Sequence, residues 1–314
     1  MANTRAEAFA PATVANLGVG FDILGLAVEG IGDTIIAEWR DGTTGASILE
    51  IEGDEGRLPT EADKNVATIA ANALLQDLAC EQGVGLTLKK GLPLSSGLGS
   101  SAASSVAAAV AVNALLGYPY EHKELLPFSL EGEAAVSGYH ADNAAPCLFG
   151  GITLSNGIEL DQIRKLPVPH NLHIALVTPD VEVPTASARA VLPSDVPIKS
   201  MIRHTGAVAA LVDALYRDDV VAMAEAMEFD LVIEPARKHL MPYLEEVRLS
   251  AKRAGALALV ISGAGPTLMA VCDNAAISQA VVTAMQAIYT EANIASIARS
   301  TTVLTQGANI VSLS

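Results

Sequence analysis

Two glycines and a set of serines stand together in "LPLSSGLGSSAASS" (Leu92 to Ser105), directly ahead of small, mostly apolar residues that run on to Leu116. Glycine lets the backbone take conformations that a Cβ forbids. Serine hydroxyls donate hydrogen bonds. A helix starting near Ser100 offers about four unpaired backbone N–H groups and the positive end of its dipole. A glycine-rich turn feeding such a terminus can close around an anion, and phosphate suits it best. The small side chains of Ala102, Ala103 and Ala107 allow close packing of the first helical turns. A plain loop capped by serine ahead of a packed alanine helix is the competing reading. The spacing matches neither of the commoner phosphate loops: no lysine follows the second glycine, and no third glycine stands where a dinucleotide turn needs it. Valine at Gly99 is expected to weaken nucleotide binding with the fold intact.

Such a loop needs a strand behind it and a helix ahead of it. "GVGLTLKKG" (Gly83 to Gly91) alternates as a strand does, and the helix from Ser100 closes at Gly117, a residue suited to a helix C-terminus. Upstream, Asp33 to Arg40 and Ala46 to Gly53 read as strands joined by the turn "DGTTG", and Asn65 to Ala79 has helical spacing. Downstream come a helix over Glu124 to Gly138 and a strand over Leu148 to Ser155. The prolines of "DQIRKLPVPHN" mark a connection. Beyond it a strand (Leu172 to Pro179), three helices (Lys199 to Tyr216, Val220 to Met227, Pro242 to Ala254), two strands flanking "GAGP", a helix (Ala276 to Thr290) and a strand (Ile297 to Leu304) complete the pattern. The mixture predicts an α+β chain of two domains divided near residue 165.

Composition agrees. The chain has 314 residues and is 51% hydrophobic, ample for two cores. A net charge of −16 argues against a nucleic-acid or anionic-membrane surface, although a local field can still favour an anion. Cys80, Cys147 and Cys272 lie far apart, without disulfide or zinc spacing, which points to a reducing compartment. The opening residues have no apolar core of a secretory signal, and the longest apolar stretch falls short of the roughly 20 residues of a membrane span. A cytoplasmic protein is expected, with no nucleic-acid and no membrane partner.

The loop "PLSSGLGSSAAS" (Pro93 to Ser104) resembles the signature of the GHMP small-molecule kinases. Two further landmarks of that family are matched in order, by "APATVANLGVGFDILGLA" (Ala10 to Ala27) and "SGAGPTLMAV" (Ser262 to Val271). The resemblance implies an N-terminal domain (1–165) with a mixed β-sheet and the phosphate-binding loop and helix. It also implies a C-terminal ferredoxin-like α/β sandwich (166–314). ATP and Mg2+ are the implied cofactors. The nucleotide is expected on Pro93, Leu94, Ser95, Ser96, Gly97, Leu98, Gly99, Ser100, Ser101, Ala102 and Ala103. Asn65 either touches it or caps its own helix. The metal is expected on Ser100 and Glu133, with Glu131 as the rival glutamate.

Within the family the chain is most similar to the branch that phosphorylates L-homoserine in threonine biosynthesis. "SGYHADNAAPCLFGG", "PTASARAVLP" and "EPARKHLMP" carry that resemblance, and Asn143 stands where the mevalonate and galactose branches are expected to carry aspartate. Asn16, Asp22, Asn143, Arg189 and Arg237 are then the substrate residues. The arginine forks suit the carboxylate, Asp22 the ammonium, and the asparagines the ammonium or hydroxyl. Asn143 and Arg189 are also expected to act at the reacting centre. Phosphoryl transfer rests on positioning and charge neutralisation, so a site without an obvious strong base is adequate. His140 is a weak candidate base and otherwise orients Asn143; Asp142 is read as structural. A homodimer is a further implication. The alternatives are another kinase of the family, its decarboxylase branch, or a non-catalytic binding protein on the same scaffold.

Overall fold

The structure, a computed structural model, describes residues 3–314, so the first two positions of the expected N-terminal domain lie outside the described residues. Strands β1 (Arg5–Ala15) and β2 (Leu24–Arg40) form a long antiparallel hairpin. Only the second half of β2 is visible in the sequence pattern, because β1 buries small alanines in place of large apolar residues. Next come β3 (Ala46–Glu52), helix α1 (Val66–Asp77) and β4 (Gly83–Lys89). The strands on either side of "DGTTG" do not pair with each other: β4 lies between them, antiparallel to β2 and parallel to β3. Gly83 lets the turn approach the start of β4 closely, since a Cβ there would come within 2.0 Å of Thr43 Oγ1.

Helix α2 (Ser100–Leu115) is buried from Ala102 to Leu115. Its small side chains let β1, β2, α1 and the next two helices, α3 (Leu126–Ala134) and α4 (Ala141–Phe149), approach it from several sides. That is why a helix without a polar face occurs in a chain with no membrane-spanning helix among its described residues. The strand expected over Leu148 to Ser155 shortens to β5 (Ile152–Ser155), because Leu148 and Phe149 end α4 and Gly150 and Gly151 turn the chain through positive φ. β6 (Ile163–Leu166) follows, and was not legible in the sequence.

The second half holds β7 (His173–Pro179), α5 (Thr185–Ala190), α6 (Ile198–Tyr216), α7 (Val220–Met227), α8 (Ile233–Arg237), α9 (Leu244–Arg253), β8 (Ala258–Ile261), β9 (Leu268–Cys272), α10 (Ala275–Glu291), β10 (Ser296–Thr301) and β11 (Asn309–Leu313). The first sheet has seven strands in the path β11-β1-β2-β4-β3, with β5 on β2 and β6 on β5. The second is antiparallel in the order β10-β7-β9-β8, the crossed order of a ferredoxin-like sandwich. Its separate core includes Val247, Met285 and Tyr289. The expected division at 165 falls at the end of β6. The final strand β11 nevertheless returns to pair with β1, so we propose a division in which residues 309–313 belong to the first unit.

Candidate active site

A cleft of about 540 Å³ runs between the two units and is lined by residues of both. One end is built on the loop ahead of α2. Gly97 and Gly99 have φ of +79° and +65°, and Gly99 is the N-cap of α2, which receives no side-chain cap. A Cβ on Gly97 would lie 2.4 Å from the Ser262 carbonyl oxygen, and one on Gly99 would lie 2.0 Å from Thr13 Oγ1. Both glycines are therefore required by packing as well as by conformation. This corrects the expectation for valine at Gly99, which cannot enter without displacing Thr13. The loop is tied to the second unit: Ser262 Oγ donates to the Gly97 carbonyl at 2.6 Å, and the Thr267 N–H donates to the Ser96 carbonyl at 3.1 Å. The "SGAGPT" connection between β8 and β9 thus lines the cleft as well as turning the chain.

Leu94, Ser95, Ser96, Gly97, Gly99, Ser100 and Ser101 face the cleft. Pro93, Leu98, Ala102 and Ala103 do not; Leu98 and the two alanines are buried behind the loop. Asn65 borders the cleft, but its side chain is committed. Its Oδ1 accepts the Ala67 N–H at 3.0 Å as the cap of α1, and its Nδ2 donates to the Pro59 carbonyl at 2.8 Å.

Beneath the loop sits a group that sequence reasoning missed. The Lys90 ammonium forms a buried ion pair with Asp33 and donates to Ser100 Oγ (2.7 Å), the Ser100 carbonyl (3.1 Å) and Ser104 Oγ (3.0 Å). Asp33 also accepts from Ser104 Oγ at 2.8 Å and from the Gly91 N–H at 3.0 Å. The lysine of "KKG" ahead of the loop was the available signal. Asp33 is brought to it only by the pairing of β2 with β4.

Glu133 on α3 is buried, and its Oε1 has no hydrogen-bond partner. Burial pushes its carboxyl up to about 7 against the opposing pull of Ser101, Ser137 and Lys90. Glu131 is exposed and accepts from the Tyr139 hydroxyl at 3.0 Å. No cluster of three or more His, Cys, Asp or Glu able to hold a metal occurs among the described residues. Mg2+ does not require one, since it keeps several waters and takes phosphate oxygens. A buried carboxylate oxygen that no protein donor satisfies, close to loop serines, fits such a cation.

The other end of the cleft is charged. Arg189, the last-turn arginine of α5, grips Asp22 with both nitrogens of its fork, at 3.0 and 2.9 Å. This bond is the main cause of its guanidinium being held above its ordinary pKa. Arg237, buried at the end of α8, donates to the carbonyls of Ala188 and Gly263, each at 3.0 Å. Burial first, and Arg189 next, lower its pKa. The Phe21 ring lies 5.6 Å from one guanidinium and 5.0 Å from the other. Asn16 is buried and bridging: its Nδ2 donates to the Gly263 carbonyl at 2.9 Å and its Oδ1 accepts the Asp22 N–H at 3.1 Å. Asn143 accepts from Thr13 Oγ1 at 2.7 Å, while its Nδ2 has no protein partner among the described residues. His140 lies 3.6 Å from Asp22, and burial lowers its pKa. Asp142 is buried and pushed up to about 7, by desolvation first and then by Asp22 and Glu133. The five expected substrate residues and the loop thus border one cleft. The carboxylate fork of Arg189 already holds Asp22.

Two family models match the chain: GHMP kinases N terminal domain over 65–151 and GHMP kinases C terminal over 211–291. Homoserine kinase of Chloroherpeton thalassium is 40% identical over 90% of this chain and 91% of its own, and homoserine kinase of Arabidopsis thaliana is 42% identical over 85% and 74%. The crystal structure of homoserine kinase from Cytophaga hutchinsonii superposes with a TM-score of 0.93 at 42% identity, covering 98% of this chain and 97% of that one. Similarity of this extent, on a cleft whose glycine loop and charged pocket come from both units, places the chain in the homoserine kinase family of the GHMP kinases.

Proposed function

We propose that this chain is an ATP-dependent kinase that phosphorylates the side-chain hydroxyl of L-homoserine, giving ADP and O-phospho-L-homoserine for threonine biosynthesis. The observation that carries this reading is the pairing, in one cleft, of a phosphate-sized glycine loop at the N-terminus of α2 with the Asp22–Arg189–Arg237 pocket. The unpaired N–H groups of α2 and the loop hydroxyls hold the triphosphate. Asp22 receives the ammonium. Arg237, with one fork nitrogen uncommitted, receives the carboxylate, and Arg189 joins it by turning one of the two nitrogens of its fork from Asp22 to the substrate. The free Nδ2 of Asn143 orients the hydroxyl, whose oxygen attacks the γ-phosphorus as the bond to the β-phosphate bridge breaks; the bridge oxygen leaves on ADP, and the hydroxyl proton passes by way of the transferred phosphoryl oxygens to water. Thr13 fixes the Asn143 amide, so that its donor side faces the cleft. Glu133 and Ser100 are the residues that would hold Mg2+, which neutralises charge on the phosphates when bound. Catalysis is then mainly positioning. A cytoplasmic location, in keeping with three free cysteines, and a homodimer complete the reading.

A coupled assay of ADP release, run with L-homoserine, L-threonine, L-serine, mevalonate and galactose, tests it. Turnover dependent on L-homoserine is expected. Turnover of mevalonate or galactose without L-homoserine overturns the assignment, and release of carbon dioxide points to the decarboxylase chemistry of the family.

A further inference from the structure

The loop that presents Asp22 is costly to hold. Asn16, Leu17 and Gly18 are three successive residues at positive φ (74°, 45° and 73°), and Asp22 adds a fourth at 60°. Such conformations persist in non-glycine residues only when surrounding structure over-determines them. Asn16 supplies one tether, to Gly263. Another comes from outside the cleft. His204 on α6 is mostly buried, and its Nε2–H donates to the Val19 carbonyl at 2.7 Å. Val19 itself is buried. The ring's other nitrogen, Nδ1, is buried without a hydrogen-bond partner and faces the Asp230 carboxylate at 3.6 Å. The Asp230 side chain is only 5% exposed and is committed to α8: it accepts the N–H groups of Val232 (2.8 Å), Ile233 (2.9 Å) and Glu234 (2.8 Å). Arg237 stands at the far end of that same short helix. His204 therefore stands between the two elements that carry the charged pocket, the loop with Asp22 and Phe21 on one side and the helix with Arg237 on the other. It is not itself part of the cleft lining.

We infer that His204 is a positioning residue for the amino-acid end of the site: it holds the Val19 carbonyl, and so keeps Asp22 in register with Arg189 and Arg237. The inference rests on the functional reading above. Removing the donor leaves a buried carbonyl unsatisfied and a strained loop with one tether fewer. The effect falls on L-homoserine binding and spares the nucleotide, whose loop is fixed separately through Lys90, Ser262 and Thr267.

The test is steady-state kinetics of the unsubstituted enzyme, His204→Phe and His204→Gln, with thermal unfolding of each. His204→Phe keeps a ring of similar shape without the donor. It is expected to raise KM for L-homoserine on the order of tenfold, the ~1.4 kcal/mol of a lost hydrogen bond to a buried carbonyl. KM for ATP is expected to stay within about twofold. His204→Gln, whose amide can reach Val19, is expected to recover most of the loss. If His204→Phe leaves KM for L-homoserine unchanged, or raises both KM values alike, the inference is overturned while the functional reading stands. If glutamine rescues nothing, the donor to Val19 is not the cause and the inference is again overturned; this holds even where the phenylalanine variant unfolds. An unsubstituted enzyme with no L-homoserine turnover overturns both.

Discussion

The two ends of the cleft are built by different means. The end proposed to hold phosphate comes from one continuous stretch, Leu94 to Ser101, and is built from backbone conformation, two glycines and the start of a buried helix. The charged end gathers Asp22, Asn143, Arg189 and Arg237 from four separate segments and works through side chains already bonded to one another or to carbonyls. A contiguous site tolerates no extra volume, because backbone from the facing unit lies against it. A dispersed site tolerates no lost partner, because Asp22 and Arg189 balance each other and Arg237 is held by two carbonyls. Substitutions should therefore affect the two ends in different ways.

The largest effect is expected at Arg189→Leu. It removes a carboxylate ligand and leaves Asp22 without its fork. Substrate has to cover the partly exposed Arg189–Asp22 pair, and truncating one member of a charge pair so covered costs roughly 2–5 kcal/mol, or about 30-fold to several thousand-fold in affinity. KM for L-homoserine should rise by that factor while KM for ATP moves less than about threefold. Equal rises in both would erase the contrast between the ends and place Arg189 on the phosphates.

Gly99→Ala probes the other end. A Cβ at φ +65°, aimed at Thr13 Oγ1 at 2.0 Å and Asn143 Oδ1 at 2.9 Å, should lower stability by about 1–3 kcal/mol and weaken ATP binding as well. Denaturant unfolding and nucleotide titration together decide it. Unchanged stability would mean that the loop moves freely, against the tight packing seen here.

The third prediction concerns Asp142, a buried acid of the cleft lining. Asp142 has its pKa raised by burial, from 3.8 to about 7. A carboxyl raised on folding favours the protonated native state. The stability it lends is present below the unfolded pKa and is lost as pH rises through the window from about 4 to 7. Asp142→Asn should therefore be more stable than the unsubstituted protein at pH 8, on the order of 1–3 kcal/mol, with the difference vanishing near pH 4. A difference that is constant across that range would show that Asp142 is solvated in the folded state.

The smallest effect is expected at Glu131, the exposed one of two neighbouring glutamates. Glu131→Ala should leave the Mg2+ requirement within about twofold, since the side chain is exposed. Glu133→Ala should raise it sharply. The reverse result would move the metal to the Glu131 side of α3.

Contiguity also governs what could be read in advance. The sequence by itself determined the glycine loop and the start of helix α2 at Ser100, since glycines, serines and small helical residues act through local backbone geometry. It likewise determined most helices and the strands of the second sheet, where apolar periodicity is strong. It identified the charged residues one by one, through resemblance, without the bonds among them. The tertiary structure alone decided that Asp22 fills the Arg189 fork, that Asn16 and Asn65 are engaged in holding backbone, and that Glu133 is inside while Glu131 is outside. It decided too that Asp33 meets Lys90, and that β4 intervenes between β2 and β3. Each of these depends on which strands pair and which faces become dry. Pairing and burial are properties of segments far apart in the chain, and no local spacing encodes them.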